Sequence, residues 1–432
     1  MSHLVIIGNG VAGITCARFV RKQSDMKITI ISNETKFHYS RTALMYVYMG
    51  HMRWKDIKPY EDWFWKKNKI DLIFAHVNKI DTDNKKLLLD SGSELEYDKL
   101  LVSTGSKINK FGWPGQDLPG VQGLYGKQDL ELLEENTKYI KHAVITGAGL
   151  IGVELSEMLH TKNIPVTFLC RESHYWRSKL PEEECIIIGK HLAEHGVNVK
   201  YNTELKEIIA GNNGRVHAVV TNKGEEIPCE FVGLTPGVHP NTDVVRDSKI
   251  ETGRGVLVNQ YLETNIPGVY AAGDCAEIII PGEKENNIVE QLWYTAKKQG
   301  RAAADSICDN KQKYDRGIWY NSAKFFDIEY QTYGYVHNNI RDWEDTFTWK
   351  HPVGKIFFRV VYNKNDRAVT GFNVLGMRMR QMVCEDWIRN RKSVDYVIEQ
   401  LPEANFDPEF YEKYEIAIMK KYKEQNKQKK VA

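Results

Sequence analysis

The feature that most constrains this chain is a repeat. HLVIIGNGVAG at His3–Gly13 recurs as HAVITGAGLIG at His142–Gly152, so that Gly8, Gly10 and Gly13 are answered by Gly147, Gly149 and Gly152. Each copy is an apolar run of buried-strand length that enters three spaced glycines and continues into a segment of helical apolar period. The first glycine permits a tight turn, the second lets the backbone approach a pyrophosphate, and the third allows close packing of helix on strand. Phosphate then lies against the amides of a helix N-terminus. A single glycine-rich turn is often only a turn. Two copies at constant offset, the first followed by the strand-like run Lys27–Ile31 and the acid Glu34 for a ribose diol, predict an α/β chain with two Rossmann-like dinucleotide-binding domains. Two dinucleotides in one chain imply electron transfer between them, since nicotinamide carries a hydride and its usual neighbour is a flavin.

At 432 residues the chain is too long for one ordinary core and suits two or three domains. The formal charge of +2 argues against nucleic acid or a membrane surface as the main partner. The terminal run KKYKEQNKQKKVA reads as a basic, solvated, disordered end. No charged-then-apolar leader precedes the first strand and no apolar run is long enough to span a bilayer, so a soluble, cytoplasmic protein is expected. The cysteines at 16, 170, 185, 229, 275, 308 and 384 are scattered, without CxxC or a metal-like cluster with histidines. Neither a disulfide framework nor a metal site is expected.

Three further segments follow in a characteristic order: YDKLLVSTGS at Tyr97–Ser106, LTPGVHPN at Leu234–Asn241 and TNIPGVYAAGD at Thr264–Asp274. With them, about residues 3–305 resemble the FAD- and NAD(P)-dependent pyridine nucleotide–disulfide oxidoreductases, in particular the branch of ferredoxin, rubredoxin and nitrite reductase-like enzymes. The resemblance implies an FAD domain from 1–115 and 241–313, an NAD(P) domain at 116–240, and a smaller α+β domain at 314–432 for dimerisation or flavin-side packing. It therefore leaves room for a homodimer. The turn-rich stretch FGWPGQDLPGVQG (Phe111–Gly123) supports the first boundary, and KIFFRVVY (Lys355–Tyr362) fits a small sheet.

Residue by residue, the resemblance implies FAD contacts at Gly8, Gly10, Ala12, Gly13, Glu34, Val77, Thr104, Gly105, Gly273 and Asp274, the last to the ribitol chain. It implies NAD(P) contacts at Gly147, Gly149, Ile151, Gly152 and Gly237. FHYSRTAL (Phe37–Leu44) resembles a Y-x-R-P-P-L-S-K stretch beside the flavin, with Arg41 as a cation for FAD phosphate or reduced flavin; the plain alternative is a solvated surface arginine. Thr42 and Ala43 replace the two prolines, and Tyr46 stands where many relatives have a lysine whose partner glutamate matches Glu154. Arg41 and Glu154 are thus the candidate catalytic residues, Glu154 without its usual partner. VEQLWYTAKKQGRAAA (Val289–Ala304) resembles the helix whose N-terminus faces the flavin, with Trp293 as the aromatic beside the ring and Glu290 its neighbour; a core tryptophan is the alternative.

Ser40 occupies about the position of the redox cysteine in one branch of the superfamily, and Cys16 has no second cysteine nearby. A serine hydroxyl forms no mixed disulfide, which argues against disulfide reduction. VTFLCRESHYWRSK (Val166–Lys179) puts Cys170 where NADH-using relatives have an acid, then supplies Arg171 and Arg177 for the 2′-phosphate of NADPH. Two charge-assisted bonds at about 1.5–3 kcal/mol each would discriminate strongly. The competing view has Glu172 binding a ribose hydroxyl, and NADH as coenzyme. The aromatic group Trp54, Tyr60, Trp63, Phe64 and Trp65 reads as packing before an acceptor surface.

The expected activity is hydride transfer from NADPH to flavin N5, with electrons passed to a small redox protein such as a ferredoxin or rubredoxin. Alternatives are a small-molecule acceptor (quinone, oxygen, monodehydroascorbate) or a redox-signalling flavoprotein resembling apoptosis-inducing factors.

Overall fold

The structure, a computed structural model, describes residues 2–281, 287–407, 409 and 412–431. Its chain divides into two compact units. The first comprises Met1–Phe111, Gly123–Lys138 and Pro236–Arg316; the second comprises Gly112–Gln122, Tyr139–Thr235 and Gly317–Ala432.

In the first unit the opening strand His3–Ile7 lies at the centre of a five-stranded parallel sheet, in the order Val269–Ala271, Lys99–Val102, His3–Ile7, Lys27–Ser32, Ile70–Phe74. Leu4, Val5 and Ile6 are buried on both faces of that sheet, which is why the strand is continuously apolar instead of alternating. The opening helix, Val11–Gln23, buries its small-residue face, Ala12 to Ala17. Helix Trp293–Ile307 meets it closely, because Gly300 has no side chain: a Cβ there would lie 2.3 Å from the Ala12 carbonyl oxygen.

The second unit repeats the plan. Its parallel sheet runs Asn198–Tyr201, Val166–Cys170, Ala143–Thr146, Phe231–Leu234, Val121–Gln122, again with the glycine-turn strand at the centre. The same unit holds an antiparallel sheet of Tyr320–Phe325, Ile328–Gly334, Val369–Leu375, Phe357–Asn363 and Glu344–Lys350. The fold is therefore α/β, with two Rossmann-like parallel sheets and an α+β carboxy-terminal part.

Two segments are grouped differently from the sequence reading. Residues 123–138 belong to the first unit, because the Lys127 amide donates to Glu34 Oε1 at 2.9 Å and Gln128 Nε2 to the Glu34 carbonyl at 2.8 Å. Residues 317–432 share a unit with the second parallel sheet. There the buried Arg359 grips Glu184 with Nε–Oε1 at 2.7 Å and Nη2–Oε2 at 2.9 Å, and Lys324 binds Glu157 at 2.7 Å. The basic terminal run is not a disordered end: Glu415–Val431 is a helix whose Ile418 and Tyr422 are buried against the antiparallel sheet, while Ala432 lies outside the described residues. Ile418 and Tyr422, one turn apart, with Met419 beside them, dock a helix that is mostly charged and polar. Among the described residues, no helix is long and apolar enough to cross a membrane.

Candidate functional site: two glycine cradles

The two glycine turns have the same internal construction. Gly8 and Gly147 adopt φ of 108° and 109°, a left-handed region open to glycine. Gly13 and Gly152 pack tightly; a Cβ would lie 2.2 Å from the Gly8 carbonyl oxygen in one and 2.6 Å from the Gly147 carbonyl oxygen in the other. The middle glycines differ from both. A Cβ on Gly10 or Gly149 would meet nothing within 4 Å. Both are helix N-caps with no side-chain cap, and neither helix has an acid in its first turn. The first amides of each helix, at Val11, Ala12 and Gly13 and at Leu150, Ile151 and Gly152, thus have no intrahelical acceptor and face an uncovered backbone. This is the arrangement that a pyrophosphate fits.

Around the first cradle the structure brings together residues scattered in sequence. Asn9 Nδ2 donates to the Thr35 carbonyl at 2.7 Å, and the Asn9 carbonyl oxygen lies 2.8 Å from His38 Nδ1. Glu34 and Arg41, assigned to ribose and phosphate from the sequence, form a two-point ion pair at 3.0 and 2.6 Å. Arg41 also donates to the Tyr125 carbonyl at 2.6 Å and lies over the Tyr125 ring, so it is not a free surface arginine. Burial alone would raise the Glu34 carboxyl, but the Arg41 charge and hydrogen bonds from Arg41, Tyr39 and the Lys127 amide outweigh it and hold it below the usual value. Glu34 Oε1 is saturated by these donors, whereas Oε2 keeps a lone pair for a hydroxyl.

From Arg41 a polar chain runs onward. The Tyr125 hydroxyl accepts from the Ser106 amide at 2.8 Å, Ser106 Oγ donates to Asp274 Oδ2 at 3.0 Å, and Gln291 Nε2 donates to Ser106 Oγ at 2.9 Å. Burial pushes the Asp274 carboxyl up, against the lowering effect of the Ser106 hydrogen bond. Gly273 (φ 84°) sits against Ala12, and its amide donates to Gln299 at 2.7 Å; Gln299 in turn donates to Glu290 at 3.1 Å. Glu290 also accepts from Tyr314 at 2.7 Å. Thr104 Oγ1 donates to the Asn241 carbonyl at 2.6 Å, and Gly105 (φ 74°) leaves room for the Tyr125 hydroxyl.

Trp293 is not a core tryptophan: it is 40% exposed in the first turn of its helix, beside Tyr294 and Lys297. Val77, by contrast, is buried in the strand Val77–Asp81 and packs in the first unit's core. Gly237 (φ 102°) lies in the first unit, where its carbonyl accepts from the Asn109 amide at 3.0 Å.

In the second unit, Glu154 lies one turn along the helix Leu150–His160, and burial, with the neighbouring Glu157 charge, pushes its carboxyl up to about 7. The two arginines read as a pair have different surroundings. Arg171 is exposed, whereas Arg177 donates to the Asn338 carbonyl at 2.9 Å and to Asn339 Oδ1 at 2.6 Å. Glu172 accepts from the Ser178 amide at 2.8 Å through Oε2. All seven cysteines are free; burial raises the thiols of Cys16, Cys170 and Cys275.

Sequence reasoning missed Tyr125, which lies in no motif, and Ser106 and Gln299, which lie inside quoted segments without being singled out. It also missed Ser103 and Thr235, although both lie inside quoted segments, VSTG and LTPG.

Two Rossmann-like parallel sheets, each with a glycine cradle at its central strand, define the class of α/β fold to which the chain belongs. Residues 2–300 match the family described as pyridine nucleotide-disulphide oxidoreductase, and the chain belongs to that family. It is 30% identical over 332 residues to the nitrite reductase [NAD(P)H] of Bacillus subtilis (strain 168), covering 76% of this chain and 40% of that one. The chain thus spans about two fifths of that relative's length. It is 28% identical over 339 residues to the NADH-rubredoxin oxidoreductase of Clostridium acetobutylicum, covering 78% of this chain and 83% of that one. Among solved structures, the ferredoxin reductase for the CYP199A2 system from Rhodopseudomonas palustris superposes with a TM-score of 0.78 at 25% identity, covering 87% of this chain and 91% of that one.

Proposed function

We propose that the protein is an FAD enzyme that takes a hydride from NADPH and passes the electrons to a small redox protein of ferredoxin or rubredoxin type. The observation that carries this reading is the pair of cradles whose middle glycines, Gly10 and Gly149, face open space while their neighbours are packed. In the first, the amides of Val11, Ala12 and Gly13 would hold the FAD pyrophosphate, Glu34 Oε2 a ribose hydroxyl and Asp274 the ribitol chain. In the second, the amides of Leu150, Ile151 and Gly152 would hold the nicotinamide dinucleotide. The bound flavin supplies a two-electron acceptor that can release electrons one at a time.

The chain's own residues bind, orient and balance charge. Arg41 acts through its ion pair with Glu34, fixing the carboxylate against the Lys127 amide. Glu154, with its carboxyl pushed up to about 7, is the group able to gain or lose a proton near neutral pH beside the second cradle. Ser40 offers no thiolate, so no thiol–disulfide step lies on the path. The redox-protein acceptor is supported by the names of relatives, among them the rubredoxin and ferredoxin reductases. One observation favours NADH as an alternative donor: Arg177 is committed to Asn338 and Asn339, which leaves Arg171 alone for a 2′-phosphate while Glu172 Oε1 is open to a ribose hydroxyl.

Anaerobic titration of the purified protein tests the reading. Extracted FAD, rapid bleaching by NADPH, and turnover with reduced ferredoxin or rubredoxin as product are expected. A colourless protein that takes up no flavin overturns it. Turnover only with quinone or oxygen moves the acceptor to a small molecule, and very slow reduction with long-lived charge-transfer complexes favours a signalling flavoprotein.

A further inference from the structure

Outside both cradles, the second unit holds a cluster that its nucleotide chemistry does not use. His191 and His195 stand one turn apart at the end of the helix Glu182–Glu194, a spacing that puts both imidazoles on one face. Asp327 reaches them from the two-residue turn Phe326–Asp327, which joins strands Tyr320–Phe325 and Ile328–Gly334 and has φ of 55° at Phe326. Asp327 Oδ1 lies 2.5 Å from His191 Nε2 and 3.3 Å from His195 Nε2, and one ligand atom from each of the three residues falls within 4.8 Å of the others.

His191 is the anomaly. It is 1% exposed; its Nε2 is paired with the Asp327 carboxylate at 2.5 Å, while its Nδ1 is buried with no hydrogen-bond partner. Leaving a buried polar group unsatisfied is costly, and native structures rarely do so without a ligand or water in attendance. His195 is held in place by the Phe326 ring, 4.5 Å away, and its Nδ1 lies 3.0 Å from the His191 carbonyl oxygen, which leaves Nε2 as its free coordinating atom.

We propose that His191, His195 and Asp327 form a binding site for a divalent transition cation of the zinc class, with solvent in the fourth position. Two imidazoles and one carboxylate are a zinc-type donor set. Ligands about 2.0–2.1 Å from a tetrahedral zinc are roughly 3.3 Å from one another, the separation already present between His195 and Asp327. The closer approach of Asp327 to His191 opens to that value by a small movement of an aspartate that is 62% exposed. Glu194 and Lys355 complete the surroundings: Glu194 Oε2 is 3.7 Å from His191 Nδ1, and Lys355 Nζ is 3.7 Å from both Glu194 and Asp327. The lysine is 40% exposed and can swing toward Glu194 when a cation takes its place beside Asp327.

The sequence reading found no metal cluster because its third ligand is remote in the chain and only the hairpin brings it to the helix. The site would tie the antiparallel sheet to helix Glu182–Glu194, so a bound cation should raise thermal stability. The test is calorimetric titration of the chelator-treated, flavin-loaded protein with zinc, followed by cobalt(II), whose visible bands report tetrahedral nitrogen and oxygen donors. One equivalent per chain, a higher melting temperature, and at least about tenfold weaker binding in both His195→Ala and Asp327→Asn are expected. His217→Ala, at an exposed histidine outside the cluster, serves as control and should bind as the wild type does. Flavin content and melting temperature of the metal-free variants verify folding. Absence of stoichiometric binding to the wild type, or unchanged binding in either variant, overturns the proposal.

Discussion

Ser103 and Thr235 perform one task in the two units. Ser103 Oγ is shared between the carbonyls of Ile7 and Gly8, each at 3.0 Å, and Thr235 Oγ1 between those of Thr146 and Gly147, at 2.9 and 3.0 Å. Each hydroxyl satisfies the carbonyls exposed where a central strand breaks into its glycine turn, and so holds the turn open for phosphate. Ser103→Ala leaves the Gly8 carbonyl without its partner, at a cost of about 1–3 kcal/mol, whereas in Thr235→Val the Thr146 and Gly147 carbonyls keep the Thr235 and Gly149 amides at 2.8 and 2.9 Å, so the loss is about 0.5–1.5 kcal/mol. Urea unfolding should register both losses. Flavin retention should fall in the serine variant alone, and the NAD(P)H KM should rise in the threonine variant alone; equal effects on both cofactors would refute the division of labour.

The middle and last glycines of each cradle separate ligand binding from folding. Gly10 has φ of −68° and open space where a Cβ would go, so Gly10→Ala should lose only about 1 kcal/mol as an N-cap change while discharging the flavin. Gly149→Ala should keep the flavin and abolish its reduction by NAD(P)H. Gly13→Ala drives a Cβ to 2.2 Å from the Gly8 oxygen and should cost about 1–3 kcal/mol or yield no soluble protein. Melting temperature and visible absorbance of the three variants provide the comparison.

How much of this was legible in the chain follows from the range over which each part is built. The cradles were readable because strand, turn and helix start are contiguous, and their duplication distinguished them from ordinary turns. Glu34 and Arg41 were each placed near the first cradle, but their mutual ion pair was not, since nothing in the spacing shows that Tyr125 and the Lys127 amide close around them. The terminal helix is hard to read because its apolar docking face is short, Ile418 and Tyr422 with Met419 beside them, followed by a mostly charged and polar run. The Arg171 and Arg177 spacing suggests a pair, but sequence separation does not reveal that the turn aims Arg177 at Asn338 and Asn339.

His38 gives the first cradle a pH dependence of defined sign. Burial is the main cause that lowers its pKa to about 4; the Arg41 charge adds to it, and the hydrogen bond to the Asn9 carbonyl opposes it. The folded value lies below the unfolded 6.5, so the folded state binds fewer protons. Its contribution to stability is therefore complete above about pH 6.5 and is lost as pH falls toward 4. Relative to His38→Gln, which keeps a donor for the Asn9 carbonyl, wild type should lose about 2 kcal/mol between pH 8 and pH 5. Urea unfolding at the two pH values measures it, and a constant difference between the proteins would remove His38 from the account.

The choice of nicotinamide coenzyme rests on Arg171 and Arg177 unequally. Arg177 is already bound to the Asn338 carbonyl and to Asn339 Oδ1, so Arg177→Ala should lower the melting temperature and change kcat/KM for NADPH and NADH by similar factors. Arg171 is exposed and has a donor set free for a 2′-phosphate. One charge-assisted contact is worth about 1.5–3 kcal/mol, or roughly ten- to a hundredfold in selectivity. Arg171→Ala should therefore reduce the NADPH/NADH ratio of kcat/KM by about that factor while leaving the NADH value in place. A ratio unmoved by Arg171→Ala, combined with a wild type that prefers NADH, would transfer the ribose contact to Glu172, whose replacement by glutamine should then weaken NADH selectively.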